Sequence, residues 1–224
     1  MLSPFARREW LIIAALGLAL VIGALLLGWW IIAAVLAVAT LALLGFFRDP
    51  ARSVPTMRGL VISPADGRVR SIHDVEHFEP FDGPAHCVRI FMSVLDVHVQ
   101  RAPMHGRVTL IEHRPGKFLN ALKPESADEN EALTMTLVHP TRDVPVCAVR
   151  QIAGAIARRI VCGAAEGEIL QRGQRYGIIK FGSTVELYLP ASQRVQLQVG
   201  QGVYVRGGLT VIASVSGDKV EGPA

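Results

Sequence analysis

The sequence predicts a β-rich domain of the α+β class with hammerhead-like β features, preceded by a transmembrane helical hairpin. Two observations lead to this prediction. No charged side chain occurs between Trp10 and Phe47, although the chain as a whole has an ordinary share of charged residues. After this run, short alternating or β-branched segments recur between turn residues, which is typical of strands in a β-rich domain.

The uncharged run is too long for one ordinary membrane span of about 20 residues and nearly long enough for two. Gly28, Trp29 and Trp30 interrupt it, and tryptophan favours the membrane interface. We therefore expect helices at residues 10–27 and 31–47, which together form a membrane anchor over residues 1–47. A re-entrant or strongly tilted segment is the alternative.

Basic residues flank the run on both sides, with Arg7 and Arg8 before it and Arg48 and Arg52 after it. The positive-inside rule then places both ends, and the following domain, on the cytoplasmic side of the cell (inner) membrane. A cleaved signal peptide fits less well, because its apolar core is shorter and it ends in a small-residue cleavage site.

Beyond the anchor, Pro50 and Pro55 indicate a linker over residues 48–58, followed by a β-rich domain at 59–215 and a polar tail at 216–224. A weak helical pattern lies near Ala121–Ala132. Glycine-punctuated runs after Val199 resemble those of lipoyl and biotinyl domains, but they lack the lysine turn that carries the cofactor. The predicted strands are Gly67–Ile72, Cys87–Val94, Gly106–Glu112, Leu133–Val138, Val144–Ile152, Gly177–Phe181, Val185–Leu189, Arg194–Val199 and Gly208–Val215.

The formal net charge of +4 is too small to indicate nucleic acid by itself, and no nucleic-acid motif is present; a basic protein beside a membrane can equally meet anionic lipid. The three cysteines form no CxxC pair. His73 and His77 lack a third candidate ligand, so we expect no metal site.

The segment around Gly182 and Ser183 carries the most specific chemistry. The pair lies between two strand-like runs, Gly177–Phe181 and Val185–Leu189. Glycine tolerates strained backbone and leaves its carbonyl open, so the Ser183 hydroxyl could attack the Gly182 carbonyl and form an ester. Elimination and hydrolysis would then leave a pyruvoyl group on residue 183.

Several motifs in a fixed order resemble the short-form phosphatidylserine decarboxylases of bacteria and archaea, from Phe46 to about Ala213. They are Phe47–Pro50, Ser63–Gly67, Asp96–Pro103, Arg114–Phe118, Glu129–Glu131, Arg150–Gly154, Ala157–Ile160 and Arg175–Gly177 leading to Phe181–Ser183.

This resemblance implies self-cleavage into a large β chain, residues 1–182, and a small α chain, residues 183–224. The two chains would form a heterodimer, with a higher oligomer left open. A covalent pyruvoyl cofactor derived from Ser183 would form a Schiff base with the amine of phosphatidylserine in the membrane. Loss of carbon dioxide would give phosphatidylethanolamine, because the conjugated carbonyl accepts the electron pair.

The resemblance also assigns helper residues to the site. Asp66, in a Pro-Ala-Asp-Gly turn, is expected near the cleavage site, where it would orient or ionise a histidine. His98 is the expected acid–base residue in cleavage, decarboxylation or both. Long-form members carry a second histidine where this chain has Arg101, which cannot act as a base but suits the carboxylate or phosphate of the substrate.

Three other functions stay open at this point. The substrate could be archaetidylserine or another serine-headed lipid. A pyruvoyl enzyme acting on a soluble amino acid would not require the anchor. A non-enzymatic membrane adaptor built on a hammerhead-like β domain would keep its chain intact.

Overall fold

The structure is a computed structural model that describes residues 1–119, 125–155, 159–180 and 183–216. The chain divides into two compact units, Met1–Ala51 and Arg52–Ala224. The first is helical and the second is rich in strands, which confirms the predicted fold class. The predicted tail lies outside the described residues from position 217 onward.

The first unit is a pair of apolar helices, α1 (Arg7–Leu26) and α2 (Trp30–Phe46). Gly28 in the connecting turn has φ +75°, a conformation that glycine adopts without strain. The two ends of the pair meet, because Ser3 N–H donates to Phe47 O at 2.8 Å, and the helices are therefore antiparallel. Gly17 leaves no room for a Cβ against Thr40, so the helices approach closely there.

By length and composition, the helical stretch Pro4–Leu26 could cross a membrane, with a mean hydropathy of 2.4. The second helix has 17 residues, which at 1.5 Å per residue reach about 26 Å against a hydrocarbon core of about 30 Å. The helices agree with the predicted positions to within three residues at each end. Two full spans stay a prediction.

The second unit contains, among its described residues, fourteen strands, one short α-helix, α3 (Ser126–Glu129), and a 3-10 helix at Glu79–Phe81. The strands are β1 (Leu60–Ile62), β2 (Gly67–Phe78), β3 (Gly83–Met92), β4 (Val99–Arg101), β5 (Gly106–Arg114), β6 (Ala132–Val138), β7 (Pro145–Ala153), β8 (Ile160–Cys162), β9 (Ile169–Leu170), β10 (Arg175–Ile179), β11 (Ser183–Pro190), β12 (Arg194–Leu197), β13 (Tyr204–Val205) and β14 (Val211–Ser216). In the range of the weak helical pattern near Ala121–Ala132, residues 121–124 lie outside the described residues, and only α3 is helical among the others.

The strands form three antiparallel sheets. The largest has the order β13-β2-β3-β11-β7-β6-β5-β9, and two smaller sheets have the orders β1-β14-β12 and β4-β10-β8. One buried apolar cluster contains residues of all three, such as Ile212 of β14, Ile179 of β10 and Val185 of β11. The core therefore lies between one face of the large sheet and the two small sheets.

Strand β11 lies in the middle of the large sheet and is buried along its whole length. It pairs with β3 from Ser183↔Met92 to Pro190↔Ala85, and with β7 from Ser183↔Ala153 to Tyr188↔Ala148. Since side chains alternate across a strand, Ser183, Val185 and Leu187 face the core and Thr184, Glu186 and Tyr188 face the other side.

We predict that Gly67→Ala destabilises the strand-rich unit by about 1–3 kcal/mol, the usual range for overpacking. A Cβ at Gly67 would collide with the Phe91 carbonyl oxygen across the β2–β3 ladder. The measurement is urea unfolding of the full chain in detergent, followed by far-UV circular dichroism.

The matched control is Gly200→Ala, because a Cβ at Gly200 has no neighbour within 4 Å. Equal stability losses in the two variants would contradict the steric argument.

Candidate active site

Ser183 is the first residue of β11 and is fully buried. Its Oγ has no hydrogen-bond partner within the part of the chain that the structure describes. An unpaired buried hydroxyl costs about 1–3 kcal/mol, so such a group calls for a functional or structural reason. Gly182, the other half of the predicted cleavage site, lies outside the described residues.

The strand ends around Ser183 bring three further segments to the same place. Ser183 pairs with Met92, the last residue of β3, and with Ala153, the last residue of β7. Arg68, at the start of β2, pairs with Phe91. The segments that follow Met92 and Ala153 and the one that precedes β2 therefore gather at the end of the sheet where β11 begins.

His98 lies in the segment that follows β3 and is fully buried. Its Nδ1 is 3.0 Å from Asp96 O. Because a carbonyl oxygen only accepts, the neutral ring carries its proton on Nδ1, and Nε2 is the basic atom. Its backbone carbonyl accepts a hydrogen bond from Ile179 N–H at 3.4 Å, which places His98 beside the strand that leads to Ser183.

Asp66 forms a buried ion pair. Its Oδ2 accepts from Arg52 Nη2 at 2.8 Å, and its Oδ1 accepts from Gly207 N–H at 2.7 Å. Arg52 Nη1 also donates to Gly207 O at 3.0 Å, which closes a three-membered network. These partners of Asp66 are an arginine and a backbone amide, and its expected role toward a histidine stays a prediction.

Arg101 ends β4 and is buried. Its Nη1 donates to Gly173 O at 3.2 Å, and its backbone N–H donates to Pro64 O at 2.9 Å. A Cβ at Gly208 would lie 2.7 Å from the Arg101 Cδ, so the side chain packs directly against the segment that also contacts Asp66. Substrate binding by Arg101 stays a prediction.

Two buried glutamines at the site were not predicted as functional residues. Gln151 Nε2 donates to Gln100 Oε1 at 2.9 Å, and Gln100 Nε2 lies 3.7 Å from Met92 Sδ. Gln151 shares the core face of β7 with Ala153, and Met92 is directly opposite Ser183. The amide pair therefore bridges two sheets next to the serine, and the Gln100 amide is a donor with only a thioether as its described partner.

A local signal for these glutamines did exist. Both lie within the motifs at Asp96–Pro103 and Arg150–Gly154, where they interrupt apolar strand runs. A polar residue within an otherwise apolar strand-like run indicates a buried polar side chain. The alternation does not reveal that the two side chains meet, because they come from strands in different sheets.

The opposite face of β11 carries a separate charged cluster. Glu186 is buried and accepts from Arg89 Nη2 at 2.7 Å and from the Tyr188 hydroxyl at 2.6 Å. Arg150 lies over the Tyr188 ring at 5.2 Å. Burial, and then the Glu186 carboxylate, raises the pKa of Tyr188 well above its ordinary value, so its hydroxyl stays a donor. A cavity of about 480 Å³ opens beside this cluster. The alternation of side chains separates it from Ser183.

We predict that Asp66→Asn destabilises the protein by about 3–5 kcal/mol, because it leaves the buried Arg52 guanidinium without its counter-charge. The measurement is urea unfolding of the full chain in detergent. Asp74→Asn is the matched control, since Asp74 is 83% exposed in its pair with His86 and should change stability by no more than about 0.5 kcal/mol. A small loss for Asp66→Asn would show that the ion pair contributes little.

Comparison with known proteins identifies the family. The model of the phosphatidylserine decarboxylase family matches residues 40–213, a range that includes Asp66, His98, Arg101 and Ser183. The phosphatidylserine decarboxylase proenzyme of Rhodopirellula baltica is 40% identical over 94% of this chain and 91% of its own length. The proenzyme of Symbiobacterium thermophilum is 44% identical over 92% of this chain and 94% of its own length. This chain therefore belongs to the phosphatidylserine decarboxylase family.

Proposed function

We propose that this protein decarboxylates phosphatidylserine to phosphatidylethanolamine after cutting its own chain between Gly182 and Ser183. The observation that carries the proposal is the buried Ser183 Oγ, which has no partner among the described residues and lies where the strand ends converge. The names of the relatives support it, since each is called a proenzyme.

The cleavage needs no reagent other than water. Ser183 Oγ attacks the carbonyl carbon of Gly182, its proton passes to the Ser183 nitrogen, and the carbon–nitrogen bond breaks to leave an ester. Loss of the Ser183 Cα proton then breaks the Cβ–Oγ bond, so that Gly182 leaves as a carboxylate and residue 183 becomes dehydroalanine. Tautomerisation and hydrolysis release ammonia and leave the pyruvoyl group.

His98 is the residue that we propose to move these protons. The Asp96 carbonyl holds its Nδ1, so Nε2 is the atom that accepts a proton from Ser183. Full burial keeps the ring in one orientation. Asp66 would act indirectly, as a positioning residue, because its bonds to Arg52 and Gly207 fix the turn that precedes β2.

The surroundings of Ser183 suit an uncharged carbonyl group. A carbonyl group needs a hydrogen-bond donor and no counter-ion. The Gln100 side-chain amide is a nearby donor, because it contacts the side chain of Met92, the residue directly opposite Ser183. Once formed, the pyruvoyl carbonyl supplies the electron sink for the pair left by departing carbon dioxide. Arg101 would hold the carboxylate or phosphate of the lipid, for which its planar fork is suited.

The two chains would stay together without the cut peptide bond. In the small chain, β11 pairs with β3 and β7, β13 pairs with β2, and β14 pairs with β1. Each of these contacts joins the small chain to the large one, so we propose a stable heterodimer of residues 1–182 and 183–224.

A lipid substrate accords with the apolar N-terminal helices, and we place the catalytic domain at the cytoplasmic face of the inner membrane. Arg7, Arg8, Arg48 and Arg52 lie at the two ends of the helical pair, as the positive-inside rule requires. Other serine-headed lipids share the amine and carboxylate that the site would address. Competition between phosphatidylserine and archaetidylserine would separate these substrates.

We predict that Ser183→Ala stays a single full-length chain, because alanine has no nucleophile. The measurement is intact-mass analysis of the purified protein. The wild type should give two chains, the smaller one lighter than the unmodified peptide 183–224 by one ammonia. Ser192→Ala, an exposed serine in the same small chain, is the control and should be cleaved normally. A wild-type protein that is uncleaved and inactive would disprove the proposed function, and an intact but active one would disprove the cleavage.

We predict that His98→Ala slows cleavage by roughly 10²–10⁴-fold, the usual contribution of a positioned acid–base group. The time course of chain separation after synthesis in a cell-free system measures this rate. His105→Ala, which changes an exposed histidine, should cleave at the wild-type rate. Normal cleavage together with normal decarboxylation in His98→Ala would remove His98 from the mechanism.

A further inference from the structure

Exposed apolar side chains lie beside the candidate active site. Val94 and Leu95 form the tip of the segment between β3 and His98, and they are 47% and 79% exposed. Large aliphatic side chains exposed together at one tip indicate a surface that meets an apolar partner. Their position connects this surface with the candidate active site, because Met92, two residues before Val94, is directly opposite Ser183.

Hydrogen bonds within the segment hold this tip in one shape. Asp96 Oδ2 accepts from Ser93 N–H at 2.7 Å, and Asp96 N–H donates to Ser93 O at 3.0 Å. Leu95 N–H also donates to Ser93 Oγ at 3.3 Å. These bonds hold the turn in a conformation in which Val94 and Leu95 are exposed.

A second apolar pair adjoins the first. The Tyr204 hydroxyl donates to Asp96 Oδ1 at 2.7 Å, and both Val203 and Tyr204 are 44% exposed. Partial burial, and then the hydrogen bond to Asp96, raises the pKa of Tyr204 to about 12, so the phenol stays neutral at physiological pH. A half-exposed tyrosine beside aliphatic residues is typical of side chains at a membrane interface.

The surroundings of these four residues are basic. Arg68 and Arg70 are exposed on β2, where Arg68 is the direct cross-strand neighbour of Tyr204, and Arg206 is exposed just after β13. Within residues 66–72, 91–96 and 199–209, the acidic residues are Asp66 and Asp96; Asp66 is paired with Arg52, and Asp96 is hydrogen-bonded to Tyr204. Arginines around an apolar tip are complementary to anionic lipid headgroups.

We propose that the interfacial patch, made of Val94, Leu95, Val203 and Tyr204 with Arg68, Arg70 and Arg206, inserts into the surface of an anionic bilayer. The proposal rests on the proposed function and deepens it. The lipid would present its headgroup to Ser183 while its acyl chains stay in the membrane. The patch would therefore be needed for substrate in a bilayer, whereas a water-soluble substrate would reach the site without it.

The test compares two forms of phosphatidylserine. The full chain, in phosphatidylcholine nanodiscs, receives either long-chain phosphatidylserine within the disc or dihexanoyl-phosphatidylserine dissolved below its critical micelle concentration. We expect Leu95→Glu to lower turnover of the long-chain lipid by roughly tenfold or more, because glutamate loses apolar burial and is repelled by anionic lipid. Turnover of the dissolved lipid should stay within about twofold of the wild type.

The control is Ile169→Glu, which changes another exposed aliphatic residue, 49% exposed, on β9 at the far edge of the large sheet from β13. It should leave both activities unchanged. Equal losses of Leu95→Glu on both substrates, or no loss on either, would overturn the proposal. A wild type that acts on neither substrate would instead refute the proposed function.

A second measurement does not depend on activity. In a Cys162→Ser background, a bimane fluorophore is attached to Leu95→Cys or to Ile169→Cys, and the full chain is placed in phosphatidylserine-containing discs with shallow brominated lipid. Insertion predicts strong quenching at position 95 and weak quenching at position 169. Equal quenching at the two positions would overturn the proposal even if the enzyme is active.

Discussion

The pairing of β11 on both sides is the constraint on which the rest of the structure depends. Its first residue, Ser183, is held by Met92 of β3 and Ala153 of β7, and the ladder to β3 continues to Pro190. This pairing fixes the backbone of the candidate nucleophile and brings the His98 segment beside it. In the proposed reaction it also keeps the small chain in place after the peptide bond is lost, so the site need not reassemble.

The two faces of β11 carry different groups of side chains, and the register of the strand decides which side chains lie on each face. Ser183 shares the core face with Val185 and Leu187, whereas Glu186 lies on the other face with arginines from β3 and β7. A slip of one residue would move the Glu186 charge into the apolar core and turn Ser183 away from the glutamine pair. The buried charged cluster therefore helps to specify where the serine points, although it takes no part in the proposed chemistry.

Local patterns predicted the helices and most of the large sheet, because a long apolar run and period-two alternation are properties of neighbouring residues. The predicted strand Val185–Leu189 lies within β11, and the predicted Cys87–Val94 overlaps the end of β3. Patterns could not predict the partner of Asp66, since Arg52 belongs to a segment that reads as a linker and Gly207 is far away in sequence. The short strands β1, β4 and β8 were missed for a similar reason, since three residues are too few to show alternation and their partners are distant.

Asp96 connects the proposed chemistry with the proposed membrane contact. Its carbonyl fixes the proton-bearing nitrogen of His98, and its carboxylate holds both the turn that presents Leu95 and the hydroxyl of Tyr204. A residue bonded in this way cannot shift without moving the histidine and the apolar tip together. In the proposed reaction the base must be aligned with the lipid surface, and a single turn that carries both groups would achieve this alignment. Asp96 is therefore as important to the arrangement as the histidine that its backbone carbonyl positions.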